Sequence, residues 1–286
     1  MMRSVKGKNV LVTGAAMGMG RLFVERAIAE QAAAVVLWDV NEAALGETVN
    51  ELSGGDTTII SEVVDVRDLA RIREAAARVR DEVGPVHVLI NNAGVVRGNS
   101  YFWESDVERD ARFTLEVNTL APMYVAHEFL PDMIATNEEC RVVNMASAAG
   151  LTSNPRMAAY AASKWAVIGW SDSVRLELEQ AGHKTVKVTT VCPYYIKTGM
   201  FDGAKAAPLL PLLDPKDVVR DTWKAMLYGD PMVVLPITVK LSEMMKGFVP
   251  TSIRDFIGGR VLGIYHTMDD FTGRPAEVRE QKQQKP

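Results

Sequence analysis

Cysteine is nearly absent from this chain: Cys140 and Cys192 are the only two, and they form no metal-ligand spacing. Two thiols cannot build a disulfide framework, so the fold must rest on an apolar core, as in a reducing compartment. An excess of either charge is also missing. Lys and Arg number 32 against 36 Asp and Glu, a net charge of −4, which argues against a nucleic-acid partner. No metal site is expected. Long hydrophobic runs are absent too; the longest, Ala32 to Trp38, is far short of the roughly 20 residues that cross a bilayer. The N-terminal stretch Met1 to Lys8 is basic but has no apolar segment of the signal-peptide kind, so a cytoplasmic location is expected.

What is present is a 286-residue chain with 48% hydrophobic residues, enough for a large buried core. Strand-like and helix-like segments alternate along its first two-thirds. Asn9–Thr13, Val35–Trp38, Thr58–Val64, Val86–Ile90, Arg141–Met145 and Val186–Val191 read as strands. Helical spacing separates them around Leu22–Ile28, Leu69–Glu82, Asp106–Leu130 and Met157–Gln180. Apolar strands alternating with helices predict a parallel sheet covered on both faces, an α/β doubly wound, Rossmann-like single domain. Beyond Val191 prolines punctuate shorter segments: a helix from Pro215 to Leu227 capped by Asp214, then a strand from Pro231 to Pro236. The domain is expected to span residues 1–272, with a helical substrate lid over about 193–272. A flexible polar tail is expected over 273–286.

The first turn, Thr13-Gly14-Ala15-Ala16-Met17-Gly18-Met19-Gly20, lies between a strand and a helix. Glycines there permit a tight turn and close approach of a pyrophosphate to the helix N-terminus. Asp39 closes the second strand, where a carboxylate accepts hydrogen bonds from ribose hydroxyls and repels a 2′-phosphate. Met17 and Val40 stand where a basic side chain would select NADP, so the expected cofactor is NAD. Asp65 and Val66 end the third strand and are candidates to frame an adenine; Asn92, Ala93 and Gly94 follow the fourth.

Tyr160 and Lys164 are spaced i,i+4 on one predicted helix face. A lysine beside a tyrosine favours the phenolate, which can take a proton from an alcohol or return it to a carbonyl oxygen. Ser147, just past the fifth strand, is a candidate donor to that oxygen.

Thr13 to Gly20, Asp39, Asn91 to Gly94, Ser147 and Tyr160 to Lys164 occur in an order that resembles the short-chain dehydrogenase/reductase family. The segment Cys192 to Phe201 and the stretch through Asp269 resemble its retinol dehydrogenase and 17-beta-hydroxysteroid dehydrogenase-like branch. The resemblance implies hydride transfer between a nicotinamide and an alcohol or carbonyl, with Asn118 completing a tetrad with Ser147, Tyr160 and Lys164. It implies that Tyr160 and Lys164 also touch the cofactor, as do Pro193, Ile196 and Thr198, and that the protein is a homodimer or homotetramer. One departure is plain: where the family has Pro-Gly after its sixth strand, this chain has Pro193-Tyr194-Tyr195.

Tyr194, Tyr195, Met200, Phe201, Leu209, Leu210, Leu212 and Leu213 fall where a lid would lie, which favours a hydrophobic alcohol or ketone; packing of an inserted helix pair is the other reading. Two further apolar faces, Ile237, Leu241, Met244 and Phe248, then Ile253, Ile257, Val261 and Ile264, fit core, subunit contact or peripheral membrane contact. Three functions remain open: an NAD-dependent dehydrogenase, an NAD-binding sensor or scaffold without turnover, and a sugar-nucleotide epimerase or dehydratase.

Overall fold

The computed structural model describes residues 2–208 and 210–273. Leu209 and the expected tail beyond Gly273 lie outside the described residues. Seven strands form one sheet in the order β3-β2-β1-β4-β5-β6-β7, every pairing parallel. They are β1 (Asn9–Thr13), β2 (Ala34–Asp39), β3 (Thr58–Val63), β4 (Val88–Asn91), β5 (Cys140–Met145), β6 (Val186–Pro193) and β7 (Met232–Leu235). Every residue of β1, β4 and β5 is buried, as expected of strands sandwiched between helix layers.

The helices are α1 (Gly18–Ala29), α2 (Glu42–Leu52), α3 (Leu69–Val83), α4 (Phe113–Leu115), α5 (Ala121–Ala135), α6 (Ala158–Gln180), α7 (Pro215–Tyr228), α8 (Ile237–Met245) and α9 (Thr251–Asp255). On one face of the sheet α1 and α7 enclose Phe23, Val24, Trp223 and Met226 against β1, β2 and β4. On the other, α3, α5 and α6 pack Ile72, Phe129 and Leu178 against Leu11, Trp38 and Leu89. Successive crossovers put helices on opposite sides, so the strand order reverses between β1 and β4 and leaves a crevice at their carboxyl ends.

The structure differs from the sequence reading at two points and narrows it at a third. The single helix expected over Asp106–Leu130 is broken: π-helical turns cover Val107–Arg112 and Glu116–Leu120 before α5 begins. Helix α2 is not evident in the sequence because only Leu45 and Thr48 are buried along it, too thin an apolar stripe to stand out. The C-terminal apolar faces do not serve as core. Ile237, Leu241, Met244, Phe248, Ile253, Ile257 and Val261 are all exposed, whereas Val239 alone is buried on α8.

Candidate active site

The crevice is a cleft of about 650 Å³ running along the carboxyl ends of β1, β2, β4, β5 and β6. Of the expected residues, Gly14, Met17, Met19, Asp39, Asp65, Val66, Asn92, Ala93, Gly94, Ser147, Tyr160, Lys164, Pro193, Ile196 and Thr198 line it. Gly18, Gly20 and Asn118 are not among the lining residues; they shape its walls from behind.

Glycine is required at the first turn by two close approaches. Gly14 has φ +64°, and a Cβ there would meet the Ala93 Cα at 2.9 Å. A Cβ on Gly20 would sit 1.9 Å from the Gly14 carbonyl oxygen, so only glycine lets α1 fold back onto its own turn. Helix α1 opens at Gly18 (φ +57°), has no side-chain cap and no acid in its first turn. Its positive dipole end is therefore directed to the cleft with no acid in its own first turn. The turn is welded to the loop after β4. Thr13 Oγ1 accepts from the amides of Asn92 and Ala93, both at 3.1 Å, and Asn92 Nδ2 donates to the carbonyls of Thr13 and Gly14, both at 3.0 Å.

Asp39 is fixed by the backbone. Its Oδ2 accepts from Ala16 N at 2.9 Å and its Oδ1 from Asn41 N at 3.0 Å, which leaves each oxygen with a further lone pair. Asp65 is gripped by Arg67, whose Nε lies 3.0 and 3.1 Å from its two carboxylate oxygens. That bond holds the Asp65 carboxyl below its ordinary range. The Arg67 guanidinium also lies 4.5 Å from the Phe113 ring centroid, and that of Arg97 lies 3.7 Å from it. Arg67, Arg97 and Phe113 line the same cleft but carry no motif; only folding brings the loop after β4 against the start of α4.

At the other end of the cleft Tyr160 and Lys164 lie on α6, both buried. The Lys164 ammonium is 5.7 Å from the Tyr160 ring centroid and donates to the Met145 carbonyl at 2.8 Å. Ser147 caps the short turn Ala148–Gly150, its Oγ accepting from Ala149 N at 3.1 Å, and is hydrogen-bonded to Tyr160. Asn118 sits inside the second π-helical turn. It clamps Val95 from both sides, accepting from its amide at 2.8 Å and donating to its carbonyl at 2.9 Å, and it donates to Ser163 Oγ at 3.1 Å. Gly94 is the point of convergence: a Cβ there would meet Asn118 Oδ1 at 3.4 Å and Lys164 Nζ at 3.6 Å.

The electrostatics differ from the sequence expectation. Burial disfavours charge on both members of the pair. It pushes the Tyr160 hydroxyl up, a shift the Ser147 hydrogen bond opposes, and pulls Lys164 from 10.5 down to about 8. Lys164 alone does not pull the phenol down.

These features together narrow the family. A model of short chain dehydrogenases matches residues 8–208. The chain belongs to the short-chain dehydrogenase family. It is 36% identical over 279 residues to human epidermal retinol dehydrogenase 2, covering 96% of this chain and 89% of that one. It is 34% identical over 248 residues to estradiol 17-beta-dehydrogenase 11 of Pongo abelii, covering 87% and 81%. It therefore groups with the retinol and 17-beta-hydroxysteroid dehydrogenase-like branch. A short-chain dehydrogenase from Burkholderia phymatum, solved in complex with NAD, superposes with a TM-score of 0.78 at 28% identity, over 86% of this chain and 95% of that one. The protein is an oxidoreductase that uses a nicotinamide cofactor and acts on alcohols or their carbonyl counterparts.

Beside Tyr160 the cleft of this dehydrogenase is walled by an aromatic cluster. Phe201 meets Tyr160 edge-on at 6.1 Å between centroids and lies 5.0 Å from Tyr195; Tyr194 and Tyr195 are 4.3 Å apart. Tyr194, Met200 and Phe201 line the cleft, whereas Tyr195, Leu210, Leu212 and Leu213 stand behind it as packing. Among the described residues no group of three or more His, Cys, Asp or Glu converges, and no helix is long and apolar enough to cross a membrane.

Proposed function

We propose that this protein is an NAD-dependent dehydrogenase of bulky, hydrophobic alcohols, with Tyr160 as the proton-transferring group. The observation that carries the reading is the convergence of Tyr160, Ser147 and Lys164 at one end of a cleft whose other end holds a backbone-fixed carboxylate, Asp39. The residues fit a dinucleotide. The glycine cradle at Gly14 and Gly20 and the uncapped start of α1 suit a pyrophosphate, with Met17, Met19 and Gly18 shaping the turn. Asp39 retains acceptor capacity for two ribose hydroxyls and would repel a 2′-phosphate, which supports NAD over NADP. Asp65 and Val66 would border the adenine, and Asn92, Ala93, Gly94, Pro193, Ile196 and Thr198, all lining the cleft, would hold the nicotinamide half.

When bound, the nicotinamide supplies the hydride chemistry. The chain supplies orientation and proton transfer. The single Ser147 hydroxyl proton can be donated to the substrate oxygen or to the Tyr160 oxygen, stabilising negative charge at whichever it reaches. Lys164, at about 8, gains and loses a proton near neutral pH and so can relay charge to a tyrosine buried away from water. Asn118 acts as a positioning residue: by clamping Val95 it fixes the backbone beside Lys164. The wall of Tyr194, Met200 and Phe201 presents mostly ring and thioether surface, so the favoured substrates are steroid-, retinoid-, long-chain or aryl-alcohol-like.

The test is initial rates at equal NAD and NADP with those four alcohol classes. Turnover with NAD should exceed that with NADP, Asp39→Ala should narrow the gap, and Tyr160→Phe should lower kcat at least about a hundredfold. Full turnover in Tyr160→Phe would remove the assigned base. Preference for NADP in the unaltered protein would refute the role given to Asp39.

A further inference from the structure

We propose that the Tyr194 hydroxyl donates a hydrogen bond to a second, non-reacting hydroxyl of the substrate, which makes the preferred substrate a hydrophobic diol. The proposal deepens the dehydrogenase reading and rests on it. Tyr194 follows the last residue of β6, where the family pattern has glycine; it lines the cleft and is 9% exposed. Burying a phenol oxygen costs stability unless it is hydrogen-bonded. The Tyr194 oxygen is sealed from water and makes no hydrogen bond among the described residues. A phenylalanine would fill the same space without that cost, so packing does not account for the hydroxyl.

The neighbouring tyrosine is already satisfied. Tyr195 Oη accepts from Asn154 Nδ2 at 2.7 Å and meets Thr267 Oγ1 at 3.2 Å. Tyr194 cannot share that partner. Thr267 Oγ1 gives its proton to the Ile264 carbonyl at 2.8 Å and accepts from Asn154 Nδ2 at 3.1 Å, so the Tyr195 proton fills its remaining lone pair. Thr267 lies close enough to act on the Tyr194 hydroxyl but does not reach hydrogen-bond geometry with it. Asn154 Oδ1, on the amide that binds the same Thr267, is also buried with no donor. One corner of the fold thus holds an unused donor and an unused acceptor, and a hydroxyl group complements both. A keto oxygen complements the donor alone.

This corner is separate from the reacting end. Tyr160 is hydrogen-bonded to Ser147, whereas the Tyr194 hydroxyl lies by Thr267. A chain of ring contacts connects the two: Tyr160 to Phe201 at 6.1 Å, Phe201 to Tyr195 at 5.0 Å, and Tyr195 to Tyr194 at 4.3 Å. An apolar body lying along that wall would carry its reacting carbinol at Tyr160 and its second hydroxyl at Tyr194. The sheet holds Tyr194 in place, since its amide donates to the Leu235 carbonyl of β7 at 2.8 Å. Burial raises the Tyr194 phenol, so it stays protonated and acts as a donor at any working pH. Met200, an unbranched thioether in the same cluster and next to Gly199 (φ +81°), is a wall side chain able to give way as the substrate hydroxyl enters.

Initial rates on matched pairs of alcohols test it. One pair is a saturated steroid with a single hydroxyl and the same skeleton with a second hydroxyl at the opposite end; the other is a long-chain alkanol and its terminal diol. In the unaltered protein kcat/KM for the diol should exceed that for the mono-alcohol at least about fivefold in one pair or both, carried by KM. Tyr194→Phe should bring that ratio close to one. Tyr195→Phe, which removes a hydroxyl committed within the fold, should keep it. Urea unfolding adds a readout that needs no substrate: Tyr194→Phe should be at least as stable as wild type, because no internal hydrogen bond is lost. Equal kcat/KM within both pairs, or a ratio that survives in Tyr194→Phe, would overturn the inference and leave the dehydrogenase reading in place. A destabilised Tyr194→Phe would also overturn it, by showing the hydroxyl paired inside the protein. No turnover with any of these alcohols would remove the dehydrogenase reading, and this inference with it.

Discussion

A buried ammonium at the cleft should make this protein less stable at neutral pH than at mildly alkaline pH. Lys164 falls from 10.5 in an exposed lysine to about 8, because its surroundings in α6 remove water from the charged form. Between those two values the unfolded chain holds a proton that the folded chain has released, so stability rises with pH across that interval. The drop corresponds to about 3 kcal/mol at neutral pH, of which about 2 kcal/mol is relieved between pH 7 and 9.5. Above about pH 10 Tyr160 acts in the opposite sense: burial raises it, so the unfolded chain loses that proton first and stability falls. The buried thiols Cys140 and Cys192, both raised, likewise begin to oppose the rise near pH 9. Lys164→Met removes the lysine contribution and, with it, the charge that draws the Cys192 thiol down, a change that matters only towards the alkaline end of the range. It also leaves the Met145 carbonyl without its donor, a cost of about 1 kcal/mol. The variant should therefore be about 2 kcal/mol more stable than wild type at pH 7, and this advantage should vanish by pH 9.5. Urea unfolding of both proteins at pH 7, 8, 9 and 9.5 reads the difference directly. A difference that is constant across that range, or a variant destabilised at pH 7, would refute the argument that burial lowers Lys164.

The turn between β1 and α1 gives a second expectation. Gly20→Ala forces a methyl against the Gly14 carbonyl and should cost about 3 kcal/mol by thermal melting, with loss of dinucleotide binding by titration calorimetry. Gly46→Ala, with open space around its Cβ position in α2, should cost nothing or stabilise slightly, which guards against a general effect of replacing glycine. Asn118→Leu strands the Val95 amide and carbonyl and should lower stability by about 2–4 kcal/mol in urea. Its kcat should fall further than a general loss of folded protein explains, because the backbone beside Lys164 is no longer held. Tyr195→Phe removes the hydroxyl that accepts from Asn154 at 2.7 Å and meets Thr267 at 3.2 Å. Limited proteolysis should then cut more rapidly near Thr267, with about 1 kcal/mol of stability lost.

Much of the architecture was legible because its signals are local. The apolar runs of β1, β2 and β5 can be buried on both faces only in a parallel sheet. Asp214 followed by Pro215 starts α7 as read, with the Asp214 side chain accepting from Lys216 N at 2.8 Å. The glycine turn, Asp39, Ser147 and the Tyr160–Lys164 spacing are likewise short-range patterns, and the fold brings all of them to one cleft edge. Helix α2 escaped because its buried stripe is narrow, and the π-helical turns around Asn118 escaped because no residue type announces them.

The sequence by itself determined the order of strands and helices, the glycines at the first turn and the identity of the chemical groups, since each depends on residues near one another in the chain. Only the tertiary structure decided their ionisation and their surroundings. Desolvation depends on every element packed around a group, so the Tyr160–Lys164 pair reads as mutually stabilised in the chain, whereas in the fold burial disfavours the charged form of each. The apolar stripe of α8 was equally undecided in the sequence, because helical spacing marks a face but not which way it points. Burial of Val239 against the substrate wall turned that stripe outward.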